Sequence, residues 1–396
     1  MSVDAEALKR EACEAVDRLN EQLLRVSRAI HARPELAFEE RAAAALLVDT
    51  LRGAGLEVEA GAYGLETAFA AEFGSREGPC VAVMAEYDAL PEIGHACGHN
   101  LIAAAGVGAA LALSALGDRL PGRVRILGTP AEERGCGKEL MARQGALDGV
   151  DAAMMMHPSS VNLVTMPCVC LAEVDVIYRG QAAHAAAMPE RGVNALDALV
   201  LAYQAIAALR QHIRSTERVH GIITDGGQAP NVVPERASGR FYVRAATQVE
   251  LESLKSRVEG CFRAGAAATG ADVEVVWGGA DYLEIRFNRP LAESFRANAE
   301  KLGREFFPID KLPTSLQGST DMGNVSHRVP SIHPMLASAP LHCTIHNAEF
   351  EKWAGSETGD ETALDGAKAL AMTAIDYLAD ADLRARARTW FEVGGA

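Results

Sequence analysis

The sequence predicts an α/β fold interrupted by a smaller α+β unit, and three observations carry that prediction. In the first part of the chain, short apolar runs suited to buried strands alternate with helix-length periodic segments. From about Leu171 to Trp277 the elements read β-α-β-β-α-β, a ferredoxin-like order. Beyond Tyr282 the helix-strand alternation returns. The expected boundaries are 1–171 and 283–396 for the two parts of one domain and 172–282 for an inserted one. With 396 residues, 49% of them hydrophobic, the chain is long enough to build both cores.

Taken in order, Ser2 to Arg28 reads as an amphipathic helix with Leu8, Ala12, Ala15, Leu19, Leu23 and Val26 on one face. Pro34 breaks the segment Ile30 to Leu36, and Glu39 to Gly53 is helical until Gly53 and Gly55 end it. Leu56 to Glu59 and Thr67 to Phe73 alternate, and Val81 to Ala85 is a continuous apolar strand that gives way to a loop at Glu86. Leu101 to Leu116 is a buried Ala-rich helix, followed by strands at Arg123 to Gly128 and Ala152 to Met156. The inserted unit is expected to contain strands at Glu173 to Tyr178, Val219 to Thr224, Ala237 to Ala245 and Asp272 to Trp277. Its helices are expected at Asn194 to Ile213 and Leu251 to Thr269.

The bulk properties exclude several classes. A formal charge of -15 without a Lys/Arg cluster argues against a nucleic-acid partner. The apolar runs are shorter than a membrane span, and the N-terminal segment lacks the apolar core and cleavage site of a signal peptide, so a cytoplasmic protein without membrane association is expected. The eight cysteines have irregular spacing, and reduced thiols are expected. Cys13, Cys80, Cys168, Cys170, Cys261 and Cys343 lie among apolar or strand-like neighbours and read as small core residues.

Cys97 differs, because Gly94-His95-Ala96-Cys97-Gly98-His99-Asn100 sets a thiol and an imidazole two residues apart among glycines. Loops at the carboxyl ends of neighbouring parallel strands converge on one crevice. Three such ends carry Asp88, Glu132-Glu133 and His157. Together with Cys97 and His99 they offer the sulfur, nitrogen and oxygen donors of a catalytic site for a borderline-soft divalent metal. If two ions sit close together, Cys97 is the candidate bridge. Adjacent side chains of an extended segment point apart, so Glu133 is read as a ligand and Glu132 as the carboxylate beside the attacking water.

The ordered motifs Ile30 to Leu36, Glu86-Tyr87-Asp88-Ala89-Leu90-Pro91, His95 to His99, Gly128 to Glu133, Gly180 to Ala185 and Ala229 to Pro234 resemble those of the M20 metallopeptidase and amidohydrolase family. The likeness is to its aminoacylase-like amidohydrolase branch. Gly94 to Ala103 and the tail from His346-Asn347-Ala348-Glu349-Phe350 to Ala374 resemble the group with p-aminobenzoyl-glutamate hydrolase subunits and basic dipeptidases. The resemblance implies a phosphorylase/hydrolase-like catalytic domain with a mixed central sheet and an inserted ferredoxin-like dimerisation, or lid, domain. It implies metal ligands at Cys97, His99, Glu133, His157 and His346; two divalent ions are expected, Zn or Mn with Co or Ni as alternatives, the thiolate favouring Zn. It further implies Glu132 as general base and His184, reaching from the partner of a homodimer, as the group that stabilises the oxyanion.

Two departures from the family pattern stand out. Asn100 replaces the Asp that many members of the branch carry after Cys-Gly-His, and Glu86 and Asp88 stand where other branches have a His-x-Asp ligand pair. Asp88 is read as a group that orients a ligand imidazole. For the substrate, Asn231 is a candidate contact to a carboxylate or carbonyl, or else a turn residue. Asp321 is a candidate for an amine, or else an Asx-turn. Arg244, with Arg191, His220 and Arg240, is a candidate for a terminal carboxylate. His342 competes with His346, while His31, His212, His327 and His333 have no functional case. The expected reaction is hydrolysis of the amide bond of a small N-acyl or N-aroyl amino acid or dipeptide by metal-activated water. The alternatives are deamination of an aromatic amine, deacetylation, or an inactive metal-binding dimer scaffold.

Overall fold

The computed structural model describes residues 4–311 and 318–394. Ser2 and Val3, which open the helix expected from the sequence, lie outside the described residues. The chain forms two compact units: one runs to Pro167 and resumes at Ile285, and the other is Cys168–Glu284.

In the first unit, α1 (Ala5–Ala32) starts where the Asp4 carboxylate accepts the Ala7 N–H at 3.1 Å. It buries Leu8, Ala12, Ala15, Leu23 and Val26, and it runs past Ile30, which the sequence assigns to the following break. The limit is set one residue before Pro34, whose ring disfavours the α conformation of Arg33 (φ -132, ψ 75). Next come α2 (Arg41–Gly53), β1 (Glu59–Ala60), β2 (Phe69–Gly74), β3 (Cys80–Ala85), α3 (His99–Ser114), β4 (Arg123–Gly128), α4 (Gly137–Arg143), β5 (Ala152–Met154) and β6 (His157–Ser159). The alternating run Leu56 to Glu59 yields only the two-residue β1, because Gly55 (φ +87) and the turn it makes occupy the preceding residues. The apolar run Ala152 to Met156 splits, since β5 ends at Met154 and His157 opens a second strand with another partner.

The second unit contains β7 (Cys170–Arg179), α5 (Ala195–Leu209), β8 (Arg218–Asp225), β9 (Arg236–Ala245), α6 (Gln248–Thr269) and β10 (Asp272–Trp277). Its antiparallel sheet has the order β10-β7-β9-β8, the ferredoxin-like arrangement expected from the element order. The buried residues alternate along β7 (Cys170, Ala172, Val174, Val176, Tyr178), so one face of the sheet closes over α5 and α6 around Leu199, Phe241 and Phe262.

The first unit resumes with α7 (Arg289–Glu300), α8 (Met322–Ser326), β11 (Ser331–Ile332), β12 (Met335–Ala337), α9 (Ala348–Ala354), α10 (Glu357–Ala379) and α11 (Ala381–Glu392). Its six-stranded sheet has the order β1-β2-β4-β3-β5-β11 and is mixed: β4, β3, β5 and β11 are parallel, whereas β1 and β2 join antiparallel. Outside that sheet, β6 pairs with β12. Helix α3 is buried from His99 to Leu113, and its small residues allow close approach on two sides. A Cβ on Gly106 would lie 2.8 Å from the Met84 carbonyl oxygen of β3, and one on Gly108 would lie 2.8 Å from Leu23 Cδ1 of α1. Among the described residues no helix is long and apolar enough to cross a membrane.

Candidate metal centre

Because β4, β3 and β5 are parallel neighbours, their carboxyl ends open side by side. Asp88 follows β3, the turn Pro130 to Glu133 follows β4, and His157 stands three residues beyond β5. The chain enters α3 through Gly98 at φ 81, where a Cβ would lie 2.6 Å from Pro158 Cγ. This glycine brings the Cys97 backbone against the His157-Pro158 segment. His346 arrives from the other end of the sequence, immediately before Asn347 caps α9. Its backbone is held in the left-handed region (φ 64) while its N–H donates to the Ala96 carbonyl at 2.8 Å.

These segments bring one thiol, three imidazoles and two carboxylates together. Cys97 Sγ lies 3.4 Å from His157 Nε2 and 3.3 Å from His346 Nε2. Glu133 Oε1 lies 3.4 Å from His346 Nε2 and 3.9 Å from His99 Nε2. Donor atoms of Cys97, His99 and His157 fall within 4.8 Å of one another, as do those of Cys97, Glu133 and His346, and those of His99, Glu132 and Glu133. Cys97, His99 and Glu133 each belong to two of these sets.

The surroundings fix which atoms face inward. His157 Nδ1 is 2.6 Å from the Pro158 carbonyl, and His99 Nδ1 is 2.9 Å from the Asp88 carbonyl and 3.1 Å from Asp88 Oδ1. Each Nδ1–H therefore donates outward and leaves Nε2 with its lone pair toward the cluster. Asp88 Oδ2 accepts the Glu133 N–H at 2.9 Å, so one carboxylate orients an imidazole and a neighbouring loop.

The donor set fits divalent cations. His99 Nε2, Glu133 Oε1 and Glu86 Oε1 are buried without a hydrogen-bond partner among the described residues, a costly state that a shared cation relieves. Burial holds the His157 pKa down at about 4, so the ring is neutral and able to ligate. Burial and then the Glu133 charge push the Cys97 thiol well above its usual range, and a bound cation is what would deprotonate it. For His99, burial opposes the charged form, but Glu86 and Cys97 outweigh it and raise the pKa well above the ordinary value. A proton and a metal thus compete for Nε2. Burial, then Glu86, Glu133 and Asp321, hold the Glu132 carboxyl well above the usual carboxylate range, and cations beside it would favour its ionised form.

The remaining candidates fall into distinct places. His342 is exposed and 3.3 Å from Glu349 Oε1, on a segment of turn and bend rather than a strand. Asp321 is fully buried: one oxygen is 2.7 Å from Lys138 Nζ, and the other accepts the Lys138 backbone N–H at 2.9 Å. Its carboxylate is spent inside the fold, leaving it unsuited to receive a substrate amine. Asn100 is also turned inward, donating to Ser27 Oγ and the Ala354 carbonyl at 2.9 Å each, so it ties α1 to α9.

In the second unit, His184 is exposed and its Nδ1 accepts the N–H groups of Ala186 and Ala187 at 3.2 Å, which leaves Nε2–H as the free donor. Asn231 lies beside it, its carbonyl accepting the Ala185 N–H at 3.0 Å, while Val232 bridges to His184. Arg244 is at the other end of the sheet, opposite Leu171, and donates to His220 Nε2 at 3.4 Å. From Arg236 to Arg244 alone the strand spans roughly 26 Å, so Arg244 does not share the His184 and Asn231 surface.

Sequence reasoning missed Lys138, and it gave His333 no functional case. Lys138 is buried between Glu86 and Asp321, and it stands in the first turn of a short helix that also carries Glu139 and Arg143, so no local pattern marks it. His333 is buried with its ring 5.4 Å from that of His157 in edge-on contact, and nothing in its sequence neighbourhood marks it.

Residues 82–375 match peptidase family M20/M25/M40. The chain belongs to that family. As an M20 protein it is a metal-dependent hydrolase of amide and peptide C–N bonds, and its α/β fold with a mixed sheet and an inserted ferredoxin-like unit is the one the sequence predicts. Among relatives of this M20 chain, the Xaa-Arg dipeptidase of Mus musculus is 44% identical over 393 residues, 95% of this chain and 90% of the relative. One of the p-aminobenzoyl-glutamate hydrolase subunits of Escherichia coli (strain K12) is 28% identical over 422 residues, 88% of each chain. A solved structure of a dinuclear metal-binding M20 peptidase from Bacillus subtilis superposes with a TM-score of 0.67 at 21% identity, over 91% of this chain and 99% of that one, and shares the fold.

Proposed function

We propose that this protein is a dipeptidase or N-acyl amino acid amidohydrolase that works with two divalent ions, held by Cys97, His99, Glu133, His157 and His346. The observation that carries the reading is the sharing of Cys97 Sγ between the His157 and His346 imidazoles, 3.4 and 3.3 Å away, beside buried Glu132 and half-buried Glu133. Bound ions would polarise the scissile carbonyl and acidify a water molecule. Thiolate ligation favours Zn, with Mn, Co or Ni as alternatives. Glu132 would take the proton from the attacking water and hand it to the departing nitrogen as the C–O bond forms and the C–N bond breaks. Asp88 orients His99 and the Glu133 backbone for that step.

His184, with Nε2–H directed away from its own loop, has the donor needed for an oxyanion, and we propose that it serves the site of a partner chain. Asn231, next to it, is the proposed contact to the substrate carbonyl or carboxylate. A homodimer through the second unit is supported by the edge strand β8, which exposes Ile222 and Ile223, and by Val200 and Leu201, exposed on α5. The eight free cysteines agree with a reducing, cytoplasmic setting.

The mouse relative makes dipeptides with a C-terminal arginine the first substrates to test. The decisive experiment is a product assay on metal-loaded protein with dipeptides and N-acyl amino acids, comparing wild type with Glu132→Ala. The expected result is release of a free amino acid, a fall in kcat of about 10²–10⁴-fold in the variant, and an unchanged metal content. Release of ammonia or acetate alone, or a variant as active as wild type, overturns the reading.

A further inference from the structure

Glu86 leaves β3 fully buried, with its two oxygens doing different things. Oε2 receives the Lys138 ammonium at 2.5 Å. Oε1 has no hydrogen-bond partner among the described residues and stands 3.3 Å from His99 Nε2, which has none either. His99 already commits Nδ1 to Asp88, so in the neutral ring Nε2 presents a lone pair toward another lone pair. Two lone pairs this close in a closed interior need a positive charge between them, either the proton of a charged His99 or a metal ion that displaces it. Ligand atoms each about 2.1 Å from one tetrahedral ion lie about 3.4 Å apart, the spacing found here.

Lys138 makes this placement rigid. It is buried, and besides Glu86 its ammonium binds Asp321 Oδ1 at 2.7 Å, while its backbone N–H binds Asp321 Oδ2 at 2.9 Å. Asp321 thus grips both ends of the residue and aims the ammonium at Glu86. One lysine between two carboxylates leaves a net negative charge in a site from which water is excluded, a costly arrangement unless more positive charge is present. The oxygen not claimed by Lys138 is the one that faces His99.

We propose that Glu86 Oε1 is an additional metal-facing oxygen beside His99 Nε2, and that Lys138, anchored by Asp321, is the positioning residue that holds it there. This rests on the two-ion reading above and adds to its ligand set. Lys138 touches neither substrate nor reacting atoms and acts through Glu86.

The test is metal binding, independent of turnover: Zn²⁺ content after dialysis and Zn²⁺ affinity by chelator competition, with thermal melts of the metal-free proteins. The proteins are wild type, Glu86→Gln, Lys138→Met and the triple variant Glu86→Gln/Lys138→Met/Asp321→Asn. Glu86→Gln is expected to weaken one of the two ions by about 10–100-fold. Lys138→Met is expected to weaken the same ion and also to lower the melting temperature, because two buried carboxylates lose their counter-charge. In the triple variant the interior is neutral, so the melting temperature recovers while the affinity stays low. Two ions bound with wild-type affinity in Glu86→Gln and in the triple variant would overturn the proposal. A wild-type protein that binds fewer than two ions instead overturns the two-ion reading, so the two failures are distinct.

Discussion

The Glu40 carboxylate accepts the backbone N–H of Ala131 at 2.9 Å, joining residues ninety-one positions apart. Ala131 holds a left-handed conformation (φ 61) one residue before Glu132, so this bond sets the turn that delivers the Glu132-Glu133 pair. Glu40 is fully buried and also accepts from Phe38 N–H and the Thr67 hydroxyl, both at 2.9 Å.

Burial, and then the Asp88 charge, raise the Glu40 pKa from 4.5 to about 7 against the pull of those hydrogen bonds. Between these values the folded protein keeps a proton that the unfolded chain has released, so this group makes stability fall as pH rises from about 4.5 to 7, with no further change above. Glu40→Gln, which keeps the acceptor for Ala131, is expected to flatten that fall by an amount on the order of a few kcal/mol. Urea unfolding at pH 5 and pH 8, with chelator in both proteins, measures it. Equal slopes in the two proteins would refute the assignment.

Asp88 binds His99 Nδ1 through one oxygen and the Glu133 N–H through the other. Asp88→Asn must turn an amide N–H toward one of two donors, and metal affinity is expected to fall about 10–100-fold. A chelator-competition titration reads this directly, and an unchanged affinity would show that the backbone carbonyl of Asp88 suffices to orient His99.

His184→Ala is expected to lower kcat by about 10²–10³-fold with metal content unchanged. If the residue serves the partner's site, mixing His184→Ala with Glu132→Ala protein under subunit exchange restores about a quarter of wild-type activity, since half the dimers are mixed and each has one intact site. No recovery in fully exchanged mixtures would place the donor in the same chain.

Gly106 and Gly108 lie two residues apart on α3, yet alanine is expected to affect them unequally. At Gly106 the added Cβ meets a backbone atom, the Met84 oxygen at 2.8 Å, which cannot swing away. At Gly108 it meets the end of the Leu23 side chain at 2.8 Å and Ala367 Cβ at 3.0 Å. Gly106→Ala should destabilise by about 1–3 kcal/mol. At Gly108 the helix preference of alanine, about 1 kcal/mol, offsets much of the strain. Denaturant midpoints of the two variants decide this, and equal losses would contradict it.

The sequence makes the central strands, α3 and the inserted unit legible because their periodicity is local. Asp88, Glu133 and His157 each follow one of the parallel strands β3, β4 and β5, so strand order alone brings them to one edge. What periodicity does not carry is a pairing between distant polar residues. Lys138 meets Glu86 and Asp321 across separations of 52 and 183 residues, and no local pattern distinguishes a buried lysine from a solvated one at the start of a helix. The same limit applies to Asn100, whose partners are Ser27 and Ala354 and whose substitution for Asp concerns helix packing. Asp321 reads as a substrate contact only while its partner is unseen.

The left-handed backbone at His346, tied to Ala96, also bears on the order in which the molecule comes together. Cys97, His99, Glu133 and His157 all precede the second unit in the chain, and His346 follows it. A growing polypeptide therefore finishes the whole of 168–284, with a core of its own, before the last imidazole exists. Until then the cluster lacks one wall, and an ion held by the early residues would stay open to exchange. If His346 is a ligand, as proposed, the site would stay incomplete until the segment around it threads back onto Ala96.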